Sequence, residues 1–162
     1  MAPRPEVVEF RPPEVEVVLA RMQELDRAHA GWLNLQPAVH AVQDLHQRRS
    51  ALSWLFSVPG PGPELTLGTW TAGPVRHRGP EPPSVGIQHG RQDRARVVLA
   101  GAGAPVPPGW RVLEDRPRFG FVARVRPGAG DAEVLAWLLR AIEVMSPVPL
   151  SGTWRALVHR RG

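Results

Sequence analysis

WRVLEDRPRFGFVARVRPGAGDAEVLAWLLRAIEVM, from Trp110 to Met145, carries three periodic signals in succession. Trp110 to Asp115 alternates and reads as one strand, and Phe119 to Arg126 reads as a second. The turn at Arg116-Pro117-Arg118 joins them as a hairpin. Pro127 and Gly128 stop the second strand. Asp131 is placed to cap a helix that runs to Met145 and to face the positive end of its dipole. Val134, Leu135, Leu138, Ala141, Ile142 and Met145 form one apolar stripe on that helix, and Pro147 and Pro149 lie beyond its end. A hairpin followed by a helix with a single apolar stripe predicts an α+β domain with the helix laid on a sheet.

Working outward, Ser84 to His89 reads as a short strand, broken by Gly90. Arg91 to Ala102 reads as a helix with Ala95, Val98, Leu99 and Ala102 inward, ended by Gly101, Gly103 and Pro105. Thr153 to His159 reads as the last strand. From about residue 84 the order is therefore βαββαβ, the order of ferredoxin-like domains, which is a statement about shape alone. Further upstream, Pro13 suits the first turn of a helix. Val15, Val18, Leu19, Met22 and Leu25 give that helix its stripe, and Gly31 is placed to close it. Trp32 to Gln36 suits a short strand, and Ala38 to Arg49 a loop or weak helix. Ala51 to Val58 and Leu65 to Thr71 read as a hairpin around Pro59-Gly60-Pro61-Gly62-Pro63. With three prolines and few apolar anchors, residues 1–12 read as a mobile arm. The expectation is one α+β domain over residues 13–162: an antiparallel or mixed sheet in two layers, with helices mainly on one face, preceded by a helix and a β-hairpin.

The chain has 162 residues and is 43% hydrophobic, enough to bury a core. Its 20 basic side chains are all arginine, and the formal net charge is +5. A basic balance points to anionic partners. Here it is also the residue usage of a GC-rich genome, and it resembles that of small proteins of high-GC actinobacteria. There is no cysteine, which excludes disulfides, zinc–thiolate sites and thiol nucleophiles. The N-terminal stretch MAPRPEVVEF lacks the apolar core of a secretory signal, and no apolar run reaches the length of a membrane span. A soluble cytoplasmic protein is expected, with no membrane association.

Phe119-Gly120-Phe121-Val122 resembles the middle of the third-strand octamer of the RNA-recognition motif. The resemblance covers four residues. Pro117 and Arg118 stand where that motif has a basic residue and glycine, and Arg124 replaces its last aromatic. Alternation sets Phe119 and Phe121 on the face of Ala123 and Val125, opposite Arg124 and Arg126. Unpaired arginines are too costly to bury, so the phenylalanine face is expected inside and unavailable for stacking on bases.

The same alternation predicts an arginine-lined outer sheet face that gathers Arg111, Arg124, Arg126, Arg155 and His159, with Gly86 leaving room near its centre. Such a face suits an anionic small molecule or an acidic protein partner, and less well a nucleic-acid backbone. The leading expectation is a non-catalytic binding protein. The alternative is a small hydrolase or transferase with His89 as general base beside Asp93, at the end of a strand and the start of a helix. No serine-hydrolase, zinc-protease, dinucleotide or phosphate-loop pattern accompanies that pair. His40 and His46, six apart, fit no helical metal pair, so neither a metal nor a cofactor is expected.

Overall fold

The computed structural model describes residues 4–38 and 65–161. The readings made for 39–64, including the strand at Ala51–Val58, its proline-glycine turn, His40 and His46, lie outside the described residues. Strands β1 (Glu6–Phe10), β2 (Trp32–Pro37), β3 (Leu67–Thr71), β6 (Ser84–Gln88), β7 (Arg111–Arg116), β8 (Gly120–Arg124) and β9 (Trp154–His159) form one seven-stranded sheet. Its order is β1-β9-β2-β3-β6-β8-β7, and every pairing is antiparallel. A small ribbon of β4 (Val75–Arg76) and β5 (Gly79–Pro80) stands apart. The helices are α1 (Glu16–Ala28), α2 (Ala95–Gly101) and α3 (Asp131–Met145).

The register explains the core. One row across the sheet runs Val158–Leu33–Trp70–Val85–Ala123–Val112. The next inner row runs Val8–Ala156–Leu35–Gly68–Ile87–Phe121–Asp115. Nearly all of these residues are buried, because alternation sends every second side chain to one face. Helix α3 lies over the middle of that face, with α1 on one side of it and α2 on the other. Its residues Val134, Leu135, Leu138, Ala141, Ile142 and Met145 are buried, together with Leu139. Helix α1 adds Val18, Met22 and Leu25, and α2 adds Ala95 and Leu99.

Helix α2 starts where a distant carboxylate receives it. Asp115, at the end of β7, accepts the Ala95 N–H at 2.9 Å and the Arg96 N–H at 3.4 Å. It therefore does for α2 what an N-cap side chain usually does locally. Trp137, on α3, meets Trp110 edge-on with ring centroids 4.9 Å apart and donates its indole N–H to the Pro105 carbonyl at 3.0 Å. Those contacts tie the segment after α2 to α3.

Two expectations are corrected. The ferredoxin-like arrangement requires the fourth strand of the βαββαβ unit to lie beside the first. Here β9 pairs with β1 and β2, and β3 occupies the place beside β6. The seven strands and three helices do not reduce to that fold. The cause is the insertion of β2 and β3 between β9 and β6. The second correction is β1. Residues 6–10, expected within a mobile arm, form a strand whose Val8 and Phe10 are buried. A strand with two inward apolar side chains needs a ladder. β9 supplies it, and β2 closes on the other side of β9.

Gly68 fixes the distance between α3 and the sheet. A Cβ built there would overlap the Ile142 Cδ1 and lie 3.1 Å from Ile142 Cγ1. Gly68→Ala is therefore expected to lower the unfolding free energy by about 1–3 kcal/mol, as overpacking does. Ile142→Val in the same chain should recover part of that loss, so that the double variant is more stable than the sum of the single effects predicts. Urea unfolding of the three variants measures both quantities, and a neutral Gly68→Ala would sink this account of the packing.

Candidate functional site

Among the described residues the three helices lie on one face of the sheet, and the other face is the candidate surface for a large ligand. One outer row runs Val7–Leu157–Asn34–Thr69–Gly86–Val122–Glu114. A second runs His159–Trp32–Thr71–Ser84–Arg124–Arg111. Around Gly86 the middle strands carry short polar residues, with the longer Trp32 and Gln88 toward their ends and the charged side chains at the sides. A groove of about 400 Å³ results, floored by Gly86 and Gly120 and lined by Thr69, Thr71, Ser84, Gln88, Val122, Glu114 and Phe119. At Gly86 a Cβ would meet nothing nearer than 3.7 Å, so the space above it is open.

The arginines expected to gather on this face are divided. Arg111 and Arg124 are direct cross-strand neighbours on β7 and β8. Arg155 and His159 lie on β9, separated from β8 by β2, β3 and β6. Four strand spacings put the two groups about 19 Å apart. Arg126 lies beyond the end of β8 and turns to Glu133 on α3 at 3.2 Å. Arg155 is paired with Glu9 at 3.1 Å, and Arg124 reaches Glu81 at 3.5 Å. No ion pair involves Arg111 among the described residues. The gathering was reasoned from a sheet with β9 beside β6, and the observed strand order separates it.

His159 is occupied in a different way. Its ring stacks on Trp32 with centroids 4.7 Å apart and planes 6° from parallel. The Asn34 amide donates to its Nε2 at 3.3 Å, and the Thr69 hydroxyl donates to Asn34 Oδ1 at 3.1 Å. Burial lowers its pKa, so it is a neutral acceptor and adds no cation to the face.

The turn between β7 and β8 changes what Phe119 does. Arg118 adopts a left-handed backbone with φ 64°, its N–H bound to the Arg91 carbonyl at 2.7 Å. The strand begins only at Gly120, so Phe119 escapes the alternation and is 53% exposed, while Phe121 is fully buried. The two phenylalanines expected to share the inner face are thus split, and Phe119 forms one wall of the outer groove. The groove itself was signalled in the sequence only by Gly86. The exposure of Phe119 depends on a left-handed arginine, for which sequence patterns give no cue.

His89 is fully buried beyond the end of β6, and neither of its ring nitrogens has a hydrogen-bond partner. Burial pushes its pKa down, opposed by the nearby Asp115 carboxylate and assisted by Arg91. Asp93, expected beside it, is exposed, and no hydrogen bond or ion pair joins the two. His89 lines neither the outer groove nor a second surface groove beside α2 formed by Arg94, Arg96, Val97, Ala100, Pro105, Val106 and Asp115. Among the described residues no cluster of three or more metal-ligating side chains occurs, and no helix is long and apolar enough to cross a membrane.

Comparison of the chain with protein-family models, with curated proteins and with solved structures gives no match.

The two histidines make stability depend on pH. Each has a folded-state pKa below the ordinary 6.5, so the unfolded chain takes up protons first as the pH falls. Their contribution is full above the unfolded pKa and is lost progressively as the pH drops below it. The urea midpoint is expected to fall between about pH 7 and pH 5, and His89→Leu should flatten that fall while leaving the midpoint at pH 7 equal or higher, since it also removes two unpartnered buried nitrogens. An unchanged profile in His89→Leu would exclude His89 as a cause.

Proposed function

We propose that the protein is a non-catalytic binding protein that receives an acidic segment of a partner protein on the outer face of its sheet. The observation that carries this reading is the groove over Gly86, with a cation beyond each end that has no ion pair among the described residues. At one end Arg111 stands opposite Arg124 in the ladder. Like charges placed directly across a strand pair destabilise it. Glu81 pairs with Arg124 and with Arg76, and Arg111, with no ion pair among the described residues, is the cation offered to an external carboxylate. At the other end Arg118 precedes the exposed Phe119 and has no ion pair among the described residues.

The groove extends from the level of Ser84 and Arg124 to the level of Gln88 and Gly120. Those levels are four residues apart, about 13 Å along a strand, which is the reach of an extended segment of roughly five residues. An apolar side chain at its centre fits the space over Gly86, beside Val122 and Phe119. Acidic side chains toward its ends meet the arginines. The enzyme alternative finds less support, because its base is enclosed and its acid lies elsewhere.

The test uses two synthetic peptides, one of glutamates alone and one of glutamates around a central leucine. Isothermal titration at low and at moderate salt is expected to show the leucine peptide binding more tightly. Gly86→Leu should weaken that peptide by about tenfold or more without altering charge, and Arg111→Glu should weaken both peptides and reduce their salt sensitivity. Equal affinity for the two peptides, unmoved by Gly86→Leu, would reduce the interaction to general basicity and end the groove reading.

A further inference from the structure

The two edges of the sheet are built differently. β7 has a bulge between Val112 and Glu114 and carries Arg111, Glu114, Asp115 and Arg116. Bulges and charged side chains are how edges are kept from pairing with other chains. β1 has neither protection in its centre. It runs in unbroken register with β9 from Glu6 to Phe10, with no proline inside it. Among the described residues no strand lies on its free side.

The charges on β1 are already answered within the chain. Glu6 accepts from Arg21 at 2.8 Å and from Arg160 at 2.7 Å, and Glu9 pairs with Arg155 at 3.1 Å. What remains is apolar. Val7 projects from the outer face and is 55% exposed. On the helix side, Val17 of α1 is 54% exposed. It precedes Arg21 by one helical turn, and Arg21 is the residue that reaches β1. The row of free N–H and C=O groups on β1 fits an extended strand. The neutralised carboxylates give an acidic or basic segment no advantage, and the exposed valines favour an apolar one. β1 itself satisfies all three conditions.

We infer that β1 pairs antiparallel with β1 of a second copy of this chain, about a two-fold axis at Val7. Continuity of the two sheets requires that outward residues face outward residues, so the axis passes through a residue, and the axes that pair at least three residues of β1 lie at Val7, Val8 or Glu9. An axis at Glu9 sets two carboxylates opposite each other. An axis at Val8 sets each Glu9 against Val7 of the second copy. An axis at Val7 covers each exposed valine with the other, leaves every Glu9 with its own Arg155, and sets Glu6, held by Arg21 and Arg160, against the already buried Val8 of the second copy. The joined sheets then present two outer grooves on one continuous face. This pairing does not depend on what the groove binds.

The natural chain has no cysteine, so Val7→Cys introduces a single thiol. Directly opposed residues of an antiparallel pair have Cα atoms about 4.5–5.5 Å apart, within the range a disulfide spans. Under mild oxidation at micromolar concentration, Val7→Cys is expected to form a covalent dimer at least about tenfold faster than Val97→Cys, whose site on α2 is 67% exposed and remote from the edge. Sedimentation of the unmodified protein should show a concentration-dependent dimer that Val7→Lys abolishes, with the melting temperature at low concentration confirming that each variant folds. A protein that stays monomeric at all concentrations, a dimer that survives Val7→Lys, or a Val7→Cys chain that oxidises no faster than Val97→Cys would each overturn the pairing.

Discussion

The ladder of β9 between β1 and β2 is the contact on which the rest of the architecture depends. It joins the two ends of the chain: Glu6 faces Val158, and Phe10 faces Trp154. Closing so long a loop costs entropy before any contact repays it. Three features return that cost. Val8, Phe10, Trp154, Ala156 and Val158 are buried together on the inner face. The rings of Phe10 and Trp154 stack with centroids 6.4 Å apart. Beyond the strand, Arg160 binds Glu6 of β1 and Glu24 of α1, which fastens the end of β9 to two other elements. These are partly exposed ion pairs, each of small value, but they share Glu6 and Arg160 and so act as one network. The burial supplies the driving force and the network favours this register over its neighbours.

With β9 in that place, β2 and β3 must lie between it and β6, and the position of α3 follows. The helix crosses β3, which was expected as part of an added hairpin, and it does so at Gly68, where no side chain holds it away. Close packing of this kind tolerates little change in volume. The same arrangement sends all three helices to one face. Among the described residues, it leaves the opposite face to be covered by side chains alone.

Much of the secondary structure was legible because its signals are local. Asp131 to Met145 has one stripe, and the helix occupies that range. The strands at β2, β3, β6, β7, β8 and β9 fall within a residue or two of where alternation placed them. β1 was missed because prolines at positions 3, 5, 12 and 13 frame a segment with only three valine or phenylalanine side chains beyond its acids. Short edge strands take their stability from a partner, and that partner lies at the far end of the chain. Strand order was illegible for the same reason. The βαββαβ succession of elements does occur from Ser84 onward, yet succession constrains neighbours in the chain and says little of strands inserted between them. The candidate face was legible in part. The outward direction of Arg111, Arg124 and Arg155 follows from alternation, but their grouping required the strand order. Arg126 was lost to Glu133, a residue on a helix whose position no local pattern gives.

The shape of the outer face has a cause in side-chain size. A solvated sheet face is usually covered by long charged side chains, whose stems shield the backbone. Here the middle of the three central strands presents Asn34, Thr69, Thr71, Ser84 and Gly86, with Trp32, Gln36, Leu67 and Gln88 toward the strand ends. The arginines and acids of that face stand on β1, β9, β8 and β7, at its two sides. Short side chains in the middle and long ones at the margins make a hollow without any bend in the sheet. They also lower the cost of filling it. Covering an arginine or glutamate forfeits up to about 2 kcal/mol of rotamer freedom, whereas glycine forfeits none and threonine and serine little. A segment laid over Gly86 would therefore order almost nothing that was free before, while the partly exposed arginines at the margins would stay in contact with water, where screening keeps their contribution modest. On this view the glycine and the short hydroxyls set affinity and register. The arginines set which sign of charge the segment carries.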